Sequence, residues 1–248
     1  MEVHHHPHVE KKNFKEYFLE FVMIFLAVTL GFIAENIRED ISNQTKEKEY
    51  MKSMLMDLIS DTAMLNGTIR FASGIGSGLD SLGKALYSAN ETDSSTLKIY
   101  RLHAMYTRLI GVDFNEETEI QLRNSGGMQL IRNTTVRSVI AKYWNETALI
   151  DEITQALQNV SFPDLSYAIF NRSYEHLTGL EKGTGMSIVS IDPNASLMTN
   201  DKNQLINYAN RMTRSVSIIN IFLIPHLNKQ KKSANDLINL IKKEYDIK

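Results

Sequence analysis

Between Tyr17 and Ala34 the chain reads YFLEFVMIFLAVTLGFIA, eighteen consecutive residues with one charged side chain, Glu20. At about 1.5 Å of rise per residue this makes a helix of roughly 27 Å, close to the hydrocarbon thickness of about 30 Å. A run this apolar has to be covered by lipid or by protein, so it constrains the fold before anything else is considered. A cleaved signal peptide is the competing reading. The residues before Ala34 are Gly31, Phe32 and Ile33, and the bulk of Phe32 spoils a small-x-small cleavage pattern. The sequence therefore predicts an uncleaved transmembrane anchor over 17–34, preceded by a tail over 1–16.

Lys11, Lys12 and Lys15 precede the span, whereas Glu35, Glu39 and Asp40 crowd its far end beside Arg38. Cytoplasmic flanks collect Lys and Arg, which points to a cytoplasmic N-terminus and an exported C-terminal domain. Lys46, Lys48 and Lys52 soften that asymmetry when the count is carried further along the chain.

Alternate steps of three and four residues give Glu20, Met23, Ala27, Leu30, Ala34, Ile37, Ile41, Gln44, Lys48, Met51, Leu55, Leu58, Thr62, Leu65 and Ile69. Most are apolar, and the rhythm crosses the end of the span without a slip. The expectation is one helix from about Phe14 to Ile69: an anchor, a stalk over 35–70, then a helical bundle over 71–248 packed with the stalk. Gln44 and Lys48 break the seam and should be loosely paired or solvated. Within the span, Ala27 and Gly31 form a small-xxx-small pair that allows close approach of helix backbones. Glu20, Met23, Ala27, Leu30, Gly31 and Ala34 are thus the candidate oligomer seam. A carboxylate about one turn inside a bilayer is costly and faces protein, water or the interface. Glu20 either snorkels toward Lys15 or a histidine, or rings an ion path in an oligomer.

The rest of the chain carries apolar residues at helical spacing, and the whole sequence has only four prolines. The fold class expected is all-α, an elongated helical bundle. Residues 96–110 should form an amphipathic helix with Leu97, Tyr100, Leu102, Met105, Tyr106 and Leu109 mostly inward and His103 packed or at the surface. A long helix is expected from about Thr134, with Val136, Ile140, Tyr143, Trp144, Leu149, Ile150, Ile153 and Leu157 inward. Gly74 to Gly78 lack the spacing and the Lys-Ser/Thr of a phosphate loop, and read as a break between helices. SIVSI (187–191) reads as a short extended piece with no sheet to receive it. VSIINIFLI (216–224) is too short and too near Pro225 for a second span, so a core helix is expected, followed after Pro225 by a final helix with Leu237, Ile238, Ile241 and Tyr245 on its apolar face.

A formal net charge of −2 argues against a general nucleic-acid binder. The absence of cysteine removes disulfides and thiolate chemistry. Asn-x-Ser/Thr triplets begin at Asn43, Asn66, Asn90, Asn133, Asn145, Asn159, Asn171 and Asn194; in a chain rich in these three residue types they read as chance matches to a loose pattern. There is no HExxH, no GxSxG and no dinucleotide fingerprint in a strand–turn–helix context, so an enzyme is not expected.

The stretches FKEYFLEFVMIFLAVTLGFIAENIRE (14–39) and EIQLRNSGGMQLIRN (119–133), with the HHHPH start, resemble a family of bacterial membrane proteins common in Bacteroidota. Its members look like a single N-terminal span followed by a helical domain with a Leu-x-x-Ser-Gly motif and a Leu-Ile pair, here Leu122, Ser125, Gly126, Leu130 and Ile131. The resemblance implies a bacterial inner-membrane location and imports no activity.

The function expected is that of a membrane-anchored, homo-oligomeric interaction or scaffold protein whose helical domain lies outside the cytoplasm. Its partners would be the bilayer, further copies of itself and another membrane protein, with no nucleic acid. Two alternatives stay open: an ion-conducting oligomer with a Glu20-lined path, and a periplasmic sensor whose output passes through a partner. His4, His5, His6 and His8 could chelate zinc, nickel or copper, all the more if an oligomer brings several tails together. Pro7 keeps a regular helix from fixing a tetrahedral site.

Overall fold

The computed structural model describes residues 13–89, 93–160, 163–171, 175–180 and 187–247. The fold is all-α with one small hairpin attached. Helix α1 spans Phe14–Tyr87, α2 Asp93–Tyr106, α3 Glu117–Asn124, α4 Thr134–Val160, α5 Pro163–Ile169, α6 Lys202–Ser217 and α7 Ile224–Tyr245. Strands β1 (Glu175–Leu180) and β2 (Ser187–Ile191) pair antiparallel, with a bulge between Leu177 and Gly179. The extended piece at 187–191 therefore does have a partner, and β2 lies against α2. The chain divides into two compact units, Met1–Glu49 and Tyr50–Lys248.

In the first unit α1 is apolar on every side along its N-terminal stretch. Its most apolar eighteen-residue window has a mean hydropathy of 2.2, and none of it is buried. It is the one helix, among the described residues, long and apolar enough to cross a membrane. Gln44 and Lys48 are exposed, as their polarity requires.

The second unit is organised by a seven-residue repeat. On α1 the residues Met51, Leu58, Leu65, Ala72, Leu79 and Leu86 recur at that interval and are all buried. Val136, Tyr143, Ile150 and Leu157 do the same on α4, and Leu227, Ala234 and Ile241 on α7. Such a period keeps one stripe of a helix facing its neighbours over many turns. Two apolar clusters result. One joins Met51–Leu58 of α1 to Leu122, Val136, Ile140, Trp144, Leu237 and Ile241. The other joins Leu65–Leu86 of α1 to Tyr100, Ile150, Phe170, Tyr208, Met212 and Leu223.

Helix α1 does not stop near Ile69. It continues unbroken through Gly74, Gly76 and Gly78 to Tyr87. Two of these glycines are contact points: a Cβ on Gly76 would lie 3.3 Å from Ile219 Cγ2, and one on Gly78 would collide with the Tyr106 ring. The absence of a side chain serves helix packing there, and the apolar stripe around the glycines holds the helix together.

Pro225 does not end a helix either. Helicity is continuous from α6 into α7 through a π-helical segment, Ile218–Leu223, in which Ile224 N–H donates to Ile219 O. Proline offers no N–H and crowds the carbonyl four residues back; a widened turn just before it absorbs the mismatch. Ile219 and Leu223 are buried while Ile221 and Phe222 are exposed, so VSIINIFLI is a helix with one core face. Helix α2 ends at Tyr106, short of the expected 110, and Leu109 points outward at 63% exposure while Ile110 is buried. Leu149 is likewise exposed.

Candidate functional site

The candidate seam residues Glu20, Met23, Ala27, Leu30, Gly31 and Ala34 all lie on the exposed N-terminal stretch of α1. Met23 is 66% and Leu30 62% exposed. Nothing lies within 4 Å of where a Gly31 Cβ would stand, so this face is open to lipid or to another helix. His4, His5, His6 and His8 lie outside the described residues.

The Leu-x-x-Ser-Gly motif has a local folding role. Leu122 is the fully buried residue of α3, and Ser125 closes that helix with its hydroxyl donating to Gln121 O at 2.7 Å. Gly126 then takes φ +67°, a left-handed conformation that a side chain strains, and the chain enters a 3₁₀ turn over Gly127–Gln129. Tyr50 of α1 meets Ser125 Oγ at 3.2 Å. Ile131 is fully buried, and the Asn133 side chain caps α4 by accepting from the N–H groups of Thr135 and Val136 at 3.0 and 3.1 Å. Asn133 Nδ2 also donates to Glu244 Oε2 at 2.8 Å, tying the start of α4 to the end of α7. The motif is thus a helix stop that docks the α3–α4 connection onto α1.

A polar layer separates the two apolar clusters. Asp61 falls between Leu58 and Leu65 on α1, Thr147 between Trp144 and Ile150 on α4, and Gln230 between Leu227 and Ala234 on α7; all three are buried. Tyr143 Oη donates to Asp61 Oδ2 at 2.7 Å, and Asn115 N–H to Asp61 Oδ1 at 2.9 Å. Gln230 Nε2 donates to Tyr143 O at 3.0 Å and to Thr147 Oγ1 at 2.8 Å. One turn away, Asp57 Oδ2 accepts from Thr118 N–H at 3.2 Å, so α1 supplies the carboxylate that caps α3. Burial pushes the Asp61 carboxyl above the usual range, against the pull of the Tyr143 and Asn115 hydrogen bonds. Burial and the adjoining Asp61 carboxylate hold the Tyr143 phenol far above its ordinary value, so it stays a donor.

Beside this layer, Glu146 is 8% exposed and bonds His226 Nδ1 at 2.6 Å and Lys229 Nζ at 2.5 Å. Burial raises its pKa, but the Lys229 and His226 bonds outweigh that and hold the carboxyl below its ordinary value. These carboxylates are already engaged by hydrogen-bond donors, so neither is left as an uncompensated buried charge.

The second apolar cluster contains a cavity of about 250 Å³. Ile75 and Leu79 of α1, Leu157 of α4, and Met212 and Ile219 form its apolar wall. His103 is 2% exposed and its ring stacks on Phe170 at 3.9 Å between centroids, with Tyr208 at 6.2 Å. The histidine is packed rather than solvated, and it lines the cavity. Asp61 and this cavity were not legible as sites from the sequence. The expected seam steps from Leu58 to Leu65 through Thr62, whereas the fold turns Asp61, one residue earlier, into the core and leaves Thr62 half-buried. Comparisons with protein-family models, with curated proteins and with solved structures give no match, so the reading of this chain rests on its own chemistry.

Proposed function

We propose that this chain is a membrane-anchored, homo-oligomeric interaction protein, with residues 17–34 of α1 in a bacterial inner membrane and the unit from Tyr50 onward presented outside the cytoplasm. One observation carries the reading: the stretch is apolar around its whole circumference, yet none of its most apolar window is buried within the chain. A helix of that kind is stable only inside lipid or against other apolar helices. The open face at Ala27 and Gly31 supports self-association, since small residues let backbones approach where the hydrophobic effect no longer drives contact. In such an oligomer the His4, His5, His6 and His8 tails would gather on the cytoplasmic side and offer imidazoles to zinc, nickel or copper.

The test is the mass of the complex in a mild detergent by light scattering. The wild-type chain should run as a defined oligomer, and Gly31→Ile should shift it toward the monomer, because the branched side chain holds the backbones apart. A monomeric wild type at micromolar concentration would sink the proposal. If the oligomer forms and also conducts ions in a planar bilayer, with Glu20→Gln altering the current, the ion-path alternative replaces the scaffold reading.

A further inference from the structure

One side of α1 in the second unit lacks the charge that a helix face in water ordinarily carries. Between Lys52 and Arg70 the only charged residues are Asp57 and Asp61, and both are buried. The exposed positions of that stretch are filled by Met, Ile, Ala, Gly, Ser and Asn. An outward helix face usually holds charged residues among its polar ones. Steps of three, four and four residues place Met56, Ile59, Ala63 and Gly67 on one side of the helix. Met56 is 65% and Ile59 52% exposed.

Gly67 sharpens the point. Glycine inside a helix is less stable than alanine. At Gly78 the Tyr106 ring accounts for the missing side chain, whereas among the described residues nothing lies within 4 Å of a Cβ placed on Gly67. No contact inside the chain requires a glycine there, and its backbone is open to an approach from outside. The same spacing recurs along α1: Met23, Ala27 and Gly31 stand in the span, and Ile59, Ala63 and Gly67 follow thirty-six residues later. That interval is about ten turns at 3.6 residues per turn. Gly31 is open in the same way. A small-xxx-small pair lets one helix backbone lie close against another. A face that repeats the pattern of the span fits the partner that the span fits, a second copy of this chain.

We propose that this face of α1 packs against the same face of a second copy, with Met56 and Ile59 supplying apolar area and Ala63 and Gly67 allowing close approach. The pairing rests on the homo-oligomer proposed above and gives it a contact in the second unit. Ala63 stands near the middle of the face, so in a two-fold pairing it meets its own counterpart.

The chain has no cysteine, so one introduced thiol reports one contact. Ala63→Cys, Ala27→Cys and Asn239→Cys are each made in the full chain and oxidised with copper phenanthroline in bacterial membranes. Asn239 is exposed on α7 and serves as the control. A disulfide needs Cα atoms within about 7 Å, so Ala63→Cys should give at least about tenfold more covalent dimer than Asn239→Cys. Adding Ile59→Glu to Ala63→Cys sets like charges against each other at an exposed position. That should cut the dimer at least about fivefold while the far-UV dichroism stays helical. Ala27→Cys reads the span. Dimer at Ala63 without dimer at Ala27 keeps this contact and removes the seam of the span. Dimer at Ala27 without dimer at Ala63 overturns this contact and leaves the span's oligomer standing, and dimer at neither overturns both. The contact also falls if Ala63→Cys and Asn239→Cys cross-link alike, or if Ile59→Glu leaves the Ala63→Cys yield unchanged.

Discussion

Asp61 occupies a position that the seven-residue repeat reserves for an apolar side chain, three residues after Leu58 and four before Leu65. Its carboxylate is stabilised by the Tyr143 hydroxyl and the Asn115 N–H. Desolvation still wins, and the neighbouring Asp57 charge acts in the same direction, so its pKa in the fold lies above the ordinary 3.8. The sign of the linkage follows. A carboxyl with a raised folded pKa binds its proton more tightly in the native state, so its contribution is complete below the unfolded value. It is lost as pH rises through the folded value. Asp61 thus makes the native state less stable at pH 7 than at pH 4, whereas Glu146, held below its ordinary value, acts in the opposite sense. Asp61→Asn keeps an acceptor for Tyr143 and removes the titration. Urea unfolding of the variant at pH 4 and pH 7 should show a smaller loss of stability over that interval than the wild type shows, and equal losses would remove Asp61 from the pH response. A layer of this kind disfavours alternative registers, because sliding any of the three helices by a turn would bury Asp61 or Gln230 against hydrocarbon.

Glycines on one helix give opposite outcomes at the scale of the element. At Gly67 and Gly74 a Cβ would meet nothing within 4 Å, whereas at Gly78 the Tyr106 ring already fills the space a Cβ would take. Alanine in an open helix position is worth about 0.5–1 kcal/mol over glycine. Gly67→Ala and Gly74→Ala should therefore raise the denaturation free energy by about that amount. Gly78→Ala has to displace a ring wedged against the backbone, and should lower it by about 1–3 kcal/mol. A stabilised Gly78→Ala would mean that Tyr106 moves freely. The same stretch shows where sequence reading fails. Periodicity identified α1, α2, α4 and α7 and most of their inward residues, because burial of a stripe is a property of one helix. The break expected at Gly74–Gly78 and the stop expected at Pro225 were errors of propensity. Tertiary packing supplies what decides both: the Tyr106 ring at one, and a π-turn between buried Ile219 and Leu223 at the other.

For the whole molecule, the apolar stretch at 17–34 and the largely helical character of the remainder follow from local patterns and were legible, whereas the β1–β2 pairing was not. Which helices pair was not, since the junction of Asp61, Thr147 and Gln230 joins residues far apart in sequence. Nor was the cavity, whose lining comes from α1, α2, α4, α5 and α6. The proposed orientation rests on Lys11, Lys12 and Lys15 before the span against Glu35, Glu39 and Asp40 after it. The lack of cysteine makes that orientation directly measurable, because any introduced thiol is unique in the chain. Asn239 is exposed on α7, and Glu10 belongs to the N-terminal tail. With a cytoplasmic N-terminus, Asn239→Cys in intact bacterial cells should react with a membrane-impermeant maleimide, and Glu10→Cys should react only after the inner membrane is permeabilised. The reverse pattern would place the helical unit in the cytoplasm. In that orientation the histidine tails would face outward. Labelling of both sites in intact cells would show that the stretch at 17–34 does not form a sealed span at all.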